Sequence, residues 1–122
     1  MNLVHKILIV EENPFIAQAI EQAGDRIQVT ADRAADGWEA IGMLETEEYA
    51  AIVIDTDLPR HSGFGVLAYL REEIGDDLEN VIVVTSANCG EVQRQLDQHG
   101  VIVVGKDDVA AEVQRSLAGR RP

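Results

Sequence analysis

The sequence predicts a three-layer α/β domain in which a five-stranded parallel sheet is doubly wound with helices on both faces. Three observations carry that reading. Short β-branched runs alternate with amphipathic helical stretches along all 122 residues. The central runs, Ile7-Leu8-Ile9-Val10, Ala51-Ile52-Val53-Ile54 and Val81-Ile82-Val83-Val84, show no polar alternation, as strands buried on both faces do not. Polar groups then cluster where the strands stop: Glu11-Glu12 after the first, Asp55 after the third, Thr85-Ser86 after the fourth and Lys106 after the fifth. In an open α/β sheet the ligand crevice lies beyond those carboxyl ends.

The elements follow in order. Residues 5–10 read as a strand. Asn13 supplies an N-cap and Pro14 the first helical position, with Ile16, Ile20 and Ala23 on one face before Gly24 closes the helix. A weaker strand is expected around 27–30. A helix over 37–47 carries Ile41 and Leu44 on its stripe and leads to a strand at 50–54. Gly63 opens the next helix, with Leu67, Leu70 and Ile74 at helical spacing and Gly75-Asp76 as its stop. A strand at 81–85, a helix at 88–99 (Val92, Leu96), a strand at 101–104 and a helix at 107–118 (Val109, Val113, Leu117) complete the series. Right-handed crossovers between parallel strands put these helices on both faces.

A chain of this length is read as one domain over 1–122, ordered from about 5 to 118, with 119–122 as a tail or linker stub. The formal charge is −12, from 22 acidic and 10 basic residues. Scattered acidic clusters keep such a surface solvated, and they argue against nucleic acid or an anionic membrane as a ligand of this domain. No segment has the roughly 18–20 apolar residues of a membrane span. The apolar run before Glu11 is too short for the core of a signal peptide, so a cytoplasmic location is expected. Cys89 is the single cysteine and excludes an internal disulfide. His5, His61 and His99 lack ligand spacing, and Trp38, Phe15, Phe64, Tyr49 and Tyr69 are expected as packing residues. A lone carboxylate after a strand is ordinarily a turn former. Asp55 gains weight because an acid, a hydroxyl and an ammonium stand at matching strand ends, the parts of a metal-assisted phosphoryl site.

With those residues in place the chain resembles the receiver domains of two-component response regulators. The resemblance rests on Glu11-Glu12, the Asp55-Thr56-Asp57-Leu58-Pro59 turn with Gly63, Thr85 and Lys106, with Gly37 and Gly100 in support. It implies a flavodoxin-like sheet with strand order 2-1-3-4-5. It also implies a role for each residue. Asp55 accepts a phosphoryl group from a phosphohistidine. Mg²⁺ is held by Asp55, by the acidic pair Glu11 and Glu12, and by the backbone carbonyl of Asp57. Lys106 balances the remaining negative charge, and Thr85 donates a hydrogen bond to a phosphoryl oxygen. The implied partners are a sensor histidine kinase or phosphotransfer protein, and a downstream protein target or fused output domain, with a homodimer left open. On this reading the domain is no enzyme in its own right.

The chain departs from the family pattern at four positions. Glu12 stands where the family has Asp, and the added methylene predicts weaker Mg²⁺ binding. Asp107 replaces the proline after the lysine; a cis bond without proline costs about 3–4 kcal/mol, so Lys106-Asp107 is expected to be trans. Asp107 is expected to cap the last helix. Val103 replaces the aromatic switch residue, and Ser62 an acid ahead of Gly63. These departures keep a non-phosphorylated pseudo-receiver, acting as a protein–protein interaction module, as the alternative. Asp55-Thr56-Asp57 also has the Asp-x-Asp form of haloacid dehalogenase phosphatases. Those enzymes usually place it on their first strand and need further acids downstream; here it lies on the third strand, with Lys106 as the only later partner.

Overall fold

The structure is a computed structural model, and it describes residues 6–56, 58, 63–70, 72, 80–85, 94 and 101–118. The elements are β1 (Lys6–Val10), α1 (Pro14–Asp25), β2 (Thr30–Ala34), α2 (Gly37–Thr46), β3 (Ala51–Asp55), α3 (Gly63–Tyr69), β4 (Val81–Thr85), β5 (Ile102–Gly105) and α4 (Val109–Ala118). All four strand pairings are parallel, and the order across the sheet is β2-β1-β3-β4-β5, as the resemblance implies. The helix expected over 88–99 lies outside the described residues, apart from Arg94, which is helical.

The unalternated strands have a direct physical reading. Leu8, Val10, Ile52, Ile54, Val81 and Val83 pack on one face of the sheet with Ala40 of α2 and Val66 and Leu67 of α3. Their neighbours Ile7, Ile9, Val53, Ile82 and Val84 pack on the other face with Ala17 and Ile20 of α1 and Val109, Val113 and Leu117 of α4. Adjacent residues of one strand thus feed two cores, so no position along it has water to face.

The helix ends follow their local chemistry. Asn13 Oδ1 accepts from the amides of Phe15 at 2.9 Å and Ile16 at 3.4 Å, with Pro14 at the first helical position. Asp36 caps α2 by accepting from the Glu39 amide at 2.8 Å.

The second strand lies at Thr30–Ala34, three residues later than expected. Ile27 and Val29, the apolar residues within the expected span, belong instead to the turn after α1. The Val29 amide donates to the Gly24 carbonyl at 2.9 Å, and Gln28 takes a φ of 63°. A Cβ at Gly24 would meet the Val29 carbonyl at 3.1 Å, so the close approach favours glycine. The strand itself, Thr-Ala-Asp-Arg-Ala, is an edge strand whose charged side chains discourage further pairing.

Three smaller expectations are corrected. Trp38 and Phe15 are exposed, at 61% and 80%; each sits in the first turn of its helix, off the face that buries Ala40 in α2 or Ala17, Ile20 and Ala23 in α1. Tyr49 does pack against the core. Asp107 does not start the last helix: the first helical amide bond runs from Glu112 to the Asp108 carbonyl at 3.1 Å, one residue later. The Lys106-Asp107 bond is trans, as expected. No helix among the described residues is long and apolar enough to cross a membrane.

Candidate functional site at the carboxyl edge of the sheet

Asp55 ends β3 as part of the ladder, in register with Val84, and is 2% exposed. Glu11 follows β1, where its amide donates to the Ala34 carbonyl at 3.1 Å. Lys106 follows β5, in the turn that leads into α4. Strand order sets β1 beside β3, with β4 and then β5 next in line, and the exits of β1, β3 and β5 gather residues 44 and 51 positions apart in sequence. Lys106 Nζ donates to Asp55 Oδ2 at 3.0 Å and stands 3.8 Å from Glu11 Oε1. An open cleft of about 530 Å³ lies over them, lined by Glu11, Glu12, Asn13, Phe15, Asp55 and Lys106. A larger hollow of about 710 Å³, beside Leu44, Tyr49, Ile52 and Tyr69, lies towards the amino-terminal edge of the sheet and contains none of these groups.

The electrostatics of the cleft centre on Glu11. Its Oε2 accepts from the Asn13 amide at 3.1 Å, so the turn that caps α1 also aims the carboxyl group. Its Oε1 is buried with no hydrogen-bond partner among the described residues. Burial first, and the Asp55 carboxyl beside it second, push the Glu11 pKa up to about 7, against the opposing pull of the Asn13 amide and Lys106. A protonated Glu11 can donate to Asp55. An ionised one leaves two desolvated carboxylates sharing one ammonium, a net negative site.

That donor set fits a hard divalent cation: carboxylate oxygens on two strands, one of them buried and unsatisfied. Among the described residues no group of three or more His, Cys, Asp or Glu side chains is assembled as a ligand set. Asp57, expected to offer its carbonyl, lies outside the described residues.

The expected residues thus divide. Glu11, Asp55 and Lys106 converge. Glu12 lines the same cleft but is exposed, so the inner acid is Glu11. Thr85 ends β4 at 1% exposure and does not line the cleft; its hydroxyl accepts from Thr56 Oγ1 at 3.3 Å. Sequence reasoning missed two residues here. Asn13 was read only as a cap, although its amide also holds Glu11. Thr56 has no role of its own in the sequence reading, because only the parallel register sets it against Thr85.

Comparison with known proteins agrees with this fold. The family model described as the response regulator receiver domain matches residues 7–117. The transcriptional activator protein IrlR of Burkholderia pseudomallei is 38% identical over 66 residues, covering 54% of this chain and 29% of that protein. The transcriptional regulatory protein TcrA of Mycobacterium tuberculosis is 35% identical over 68 residues, covering 56% and 27%. The matches therefore span less than a third of either relative. Among solved structures, the signal receiver domain of a putative Luxo repressor protein from Vibrio parahaemolyticus superposes with a TM-score of 0.81 at 23% identity, covering 95% of this chain and 88% of that one. The chemotaxis protein CheY4 of Vibrio cholerae gives 0.76 at 19% identity, covering 93% and 98%; likenesses at these identities speak for the fold. With the family model running from the first strand to the last helix, this chain belongs to the receiver domains of two-component response regulators.

Proposed function

We propose that this receiver accepts a phosphoryl group on Asp55 from a phosphohistidine of a sensor histidine kinase or phosphotransfer protein. The observation that carries the reading is the buried Asp55 carboxylate held at 3.0 Å by Lys106, with the unsatisfied Glu11 oxygen beside it. In the step proposed, an Asp55 oxygen attacks phosphorus in line with the departing imidazole nitrogen. The new O–P bond makes an acyl phosphate as the N–P bond breaks, and the nitrogen leaves with its electron pair and takes a proton from solvent. The difficulty is charge, since an anion approaches an anion. Lys106 supplies one positive charge at the acceptor oxygen. Glu11 and Asp55, with Glu12 at the rim, would hold Mg²⁺, which when bound neutralises charge between the carboxylate and the phosphoryl oxygens. Thr85 would donate to a phosphoryl oxygen once the group is in place.

The domain is proposed to take up one group per cycle without turning over a substrate. It would signal through its partner-facing surface to a downstream protein or a fused output domain. Val103 packs as a small aliphatic against the core, so any movement there is expected to be slighter than the swing of an aromatic ring. A cytoplasmic setting goes with the kinase and belongs to the same proposal.

Incubation with acetyl phosphate and Mg²⁺, followed by intact mass, tests the reading. A gain of one phosphoryl group, absent in Asp55→Ala, is expected. No gain on the wild type, or an equal gain on the variant, would return the chain to the pseudo-receiver alternative.

A further inference from the structure

Two threonines stand side by side where β3 and β4 end. Asp55 pairs with Val84 in the parallel register, so the next position on each strand sets Thr56 against Thr85. The Thr56 amide continues the ladder by donating to the Val84 carbonyl at 3.0 Å. Ile52 and Ile54 of β3, and Val81 and Val83 of β4, face the α2–α3 layer, and two-residue alternation puts both threonines on that same face. Thr56 is 8% and Thr85 1% exposed, and Thr56 Oγ1 donates to Thr85 Oγ1 at 3.3 Å.

A hydroxyl has one proton to give and two lone pairs to offer. The bond from Thr56 occupies a lone pair of Thr85 and leaves the Thr85 proton to be directed elsewhere. Accepting a hydrogen bond polarises a hydroxyl and strengthens its own donation, most of all where water is excluded. Both side chains are β-branched and stiff at χ1, so the pair loses little further freedom on being aligned. We propose that Thr56 is a positioning residue for the phosphoryl group: its hydroxyl orients and polarises Thr85, which in turn donates to a phosphoryl oxygen carried on Asp55. This rests on the phosphoacceptor reading and adds a residue that never touches the phosphoryl group itself. A purely structural hydroxyl pair predicts something else, a loss of stability with phosphoryl binding unchanged.

The test is calorimetric titration of the full chain with beryllofluoride, a phosphoryl mimic, at saturating Mg²⁺, with thermal melts alongside. Thr56→Val keeps the shape and removes the donor. It is expected to weaken binding about three- to tenfold, the range one net hydrogen bond accounts for. Thr56→Ser is expected to restore near wild-type affinity, and Thr56→Val to have no further effect in a Thr85→Val background. Affinity that is unchanged or tighter in Thr56→Val, or the same loss with Thr85 already removed, overturns the proposal. Thr56→Ala serves the same comparison if the valine variant melts below the titration temperature. A wild type that binds no beryllofluoride and takes no phosphoryl group removes the phosphoacceptor reading and this proposal together. A wild type that binds while Thr56→Val binds equally removes the proposal alone.

Discussion

One ammonium with two carboxylates occurs twice in this molecule, towards opposite ends of the sheet, and the two clusters behave differently. At the amino-terminal end, Lys6 pairs with Glu47 at 2.9 Å and Asp32 at 3.3 Å, its ammonium lies 5.4 Å from the Tyr49 ring centroid, and the Tyr49 hydroxyl donates to Asp32 at 2.8 Å. At the carboxyl end, Lys106 pairs with Asp55 at 3.0 Å and Glu11 at 3.8 Å. The composition is the same and the distances are similar. Exposure separates them: the Asp32 and Glu47 side chains are 35% and 50% exposed, those of Asp55 and Glu11 3% and 2%.

At the first cluster water screens every charge, and the ammonium gains from Glu47 most of all, which raises its pKa. At the second, desolvation dominates and drives the Glu11 pKa to about 7. A cluster that is satisfied and solvated clasps two strands and a loop. One that is buried and short of positive charge suits the proposed role of holding a cation and taking a phosphoryl group.

The sharpest break between the clusters is expected at Asp55. Asp55→Asn should abolish phosphoryl uptake from acetyl phosphate, read by intact mass, while Asp32→Asn leaves it whole. If both variants still label, the carboxyl-end cluster has no special chemistry.

Next in size is Lys106→Met, which leaves two buried carboxylates without their ammonium. Removing one partner of a buried pair costs about 3–5 kcal/mol, and protonation of a carboxyl group will recover part of that at low pH. Urea denaturation at pH 8 is expected to show a loss of that order, together with weaker labelling. Lys6→Met, by contrast, removes an ammonium from a solvated cluster and should move the denaturation midpoint little. Equal losses in the two variants would mean that burial does not separate the clusters.

The pH dependence of stability sharpens the comparison further. The folded-state pKa of Glu11, about 7, lies above its ordinary value of 4.5, so the folded chain binds the extra proton between those values. The stability Glu11 contributes is whole below about pH 4.5 and is lost as pH rises through about 7. Metal-free protein is therefore expected to lose stability on this account between pH 5 and about pH 8. Glu11→Gln should flatten that slope, and Mg²⁺, which needs the ionised form, should oppose it. A slope unchanged in Glu11→Gln would place its origin elsewhere. The smallest effect is expected for Glu12→Gln, whose side chain is exposed on the rim: Mg²⁺ affinity should fall less than in Glu11→Gln. The reverse ranking would make Glu12 the inner ligand.

Much of this is legible in the sequence itself. The apolar runs at 7–10, 52–54 and 81–84 read as doubly buried strands because they are. Asn13-Pro14 read as a helix start because capping is decided within a few residues. Legibility failed where a choice depended on distant chain. Ile27 and Val29 have the composition of a strand, yet Thr30–Ala34 pairs with β1 because the turn at Gly24–Val29 consumes the apolar pair as its anchor. Trp38 and Phe15 looked like core because aromatics usually are, and no local rule says which side of a first helical turn meets the sheet.

The candidate site divides along the same line. Local sequence determined which chemical groups stand at the strand exits, because a polar residue after an unalternated run has nowhere to go but the sheet edge. Tertiary structure alone decided which of them meet. The order β2-β1-β3-β4-β5 brings the ends of β1 and β3 together, strand register sets Thr56 against Thr85, and packing beside Asp55 and Lys106 buries Glu11 while Glu12 stays in water. Those outcomes depend on contacts between residues dozens of positions apart, and short-range propensity carries no information about such pairings.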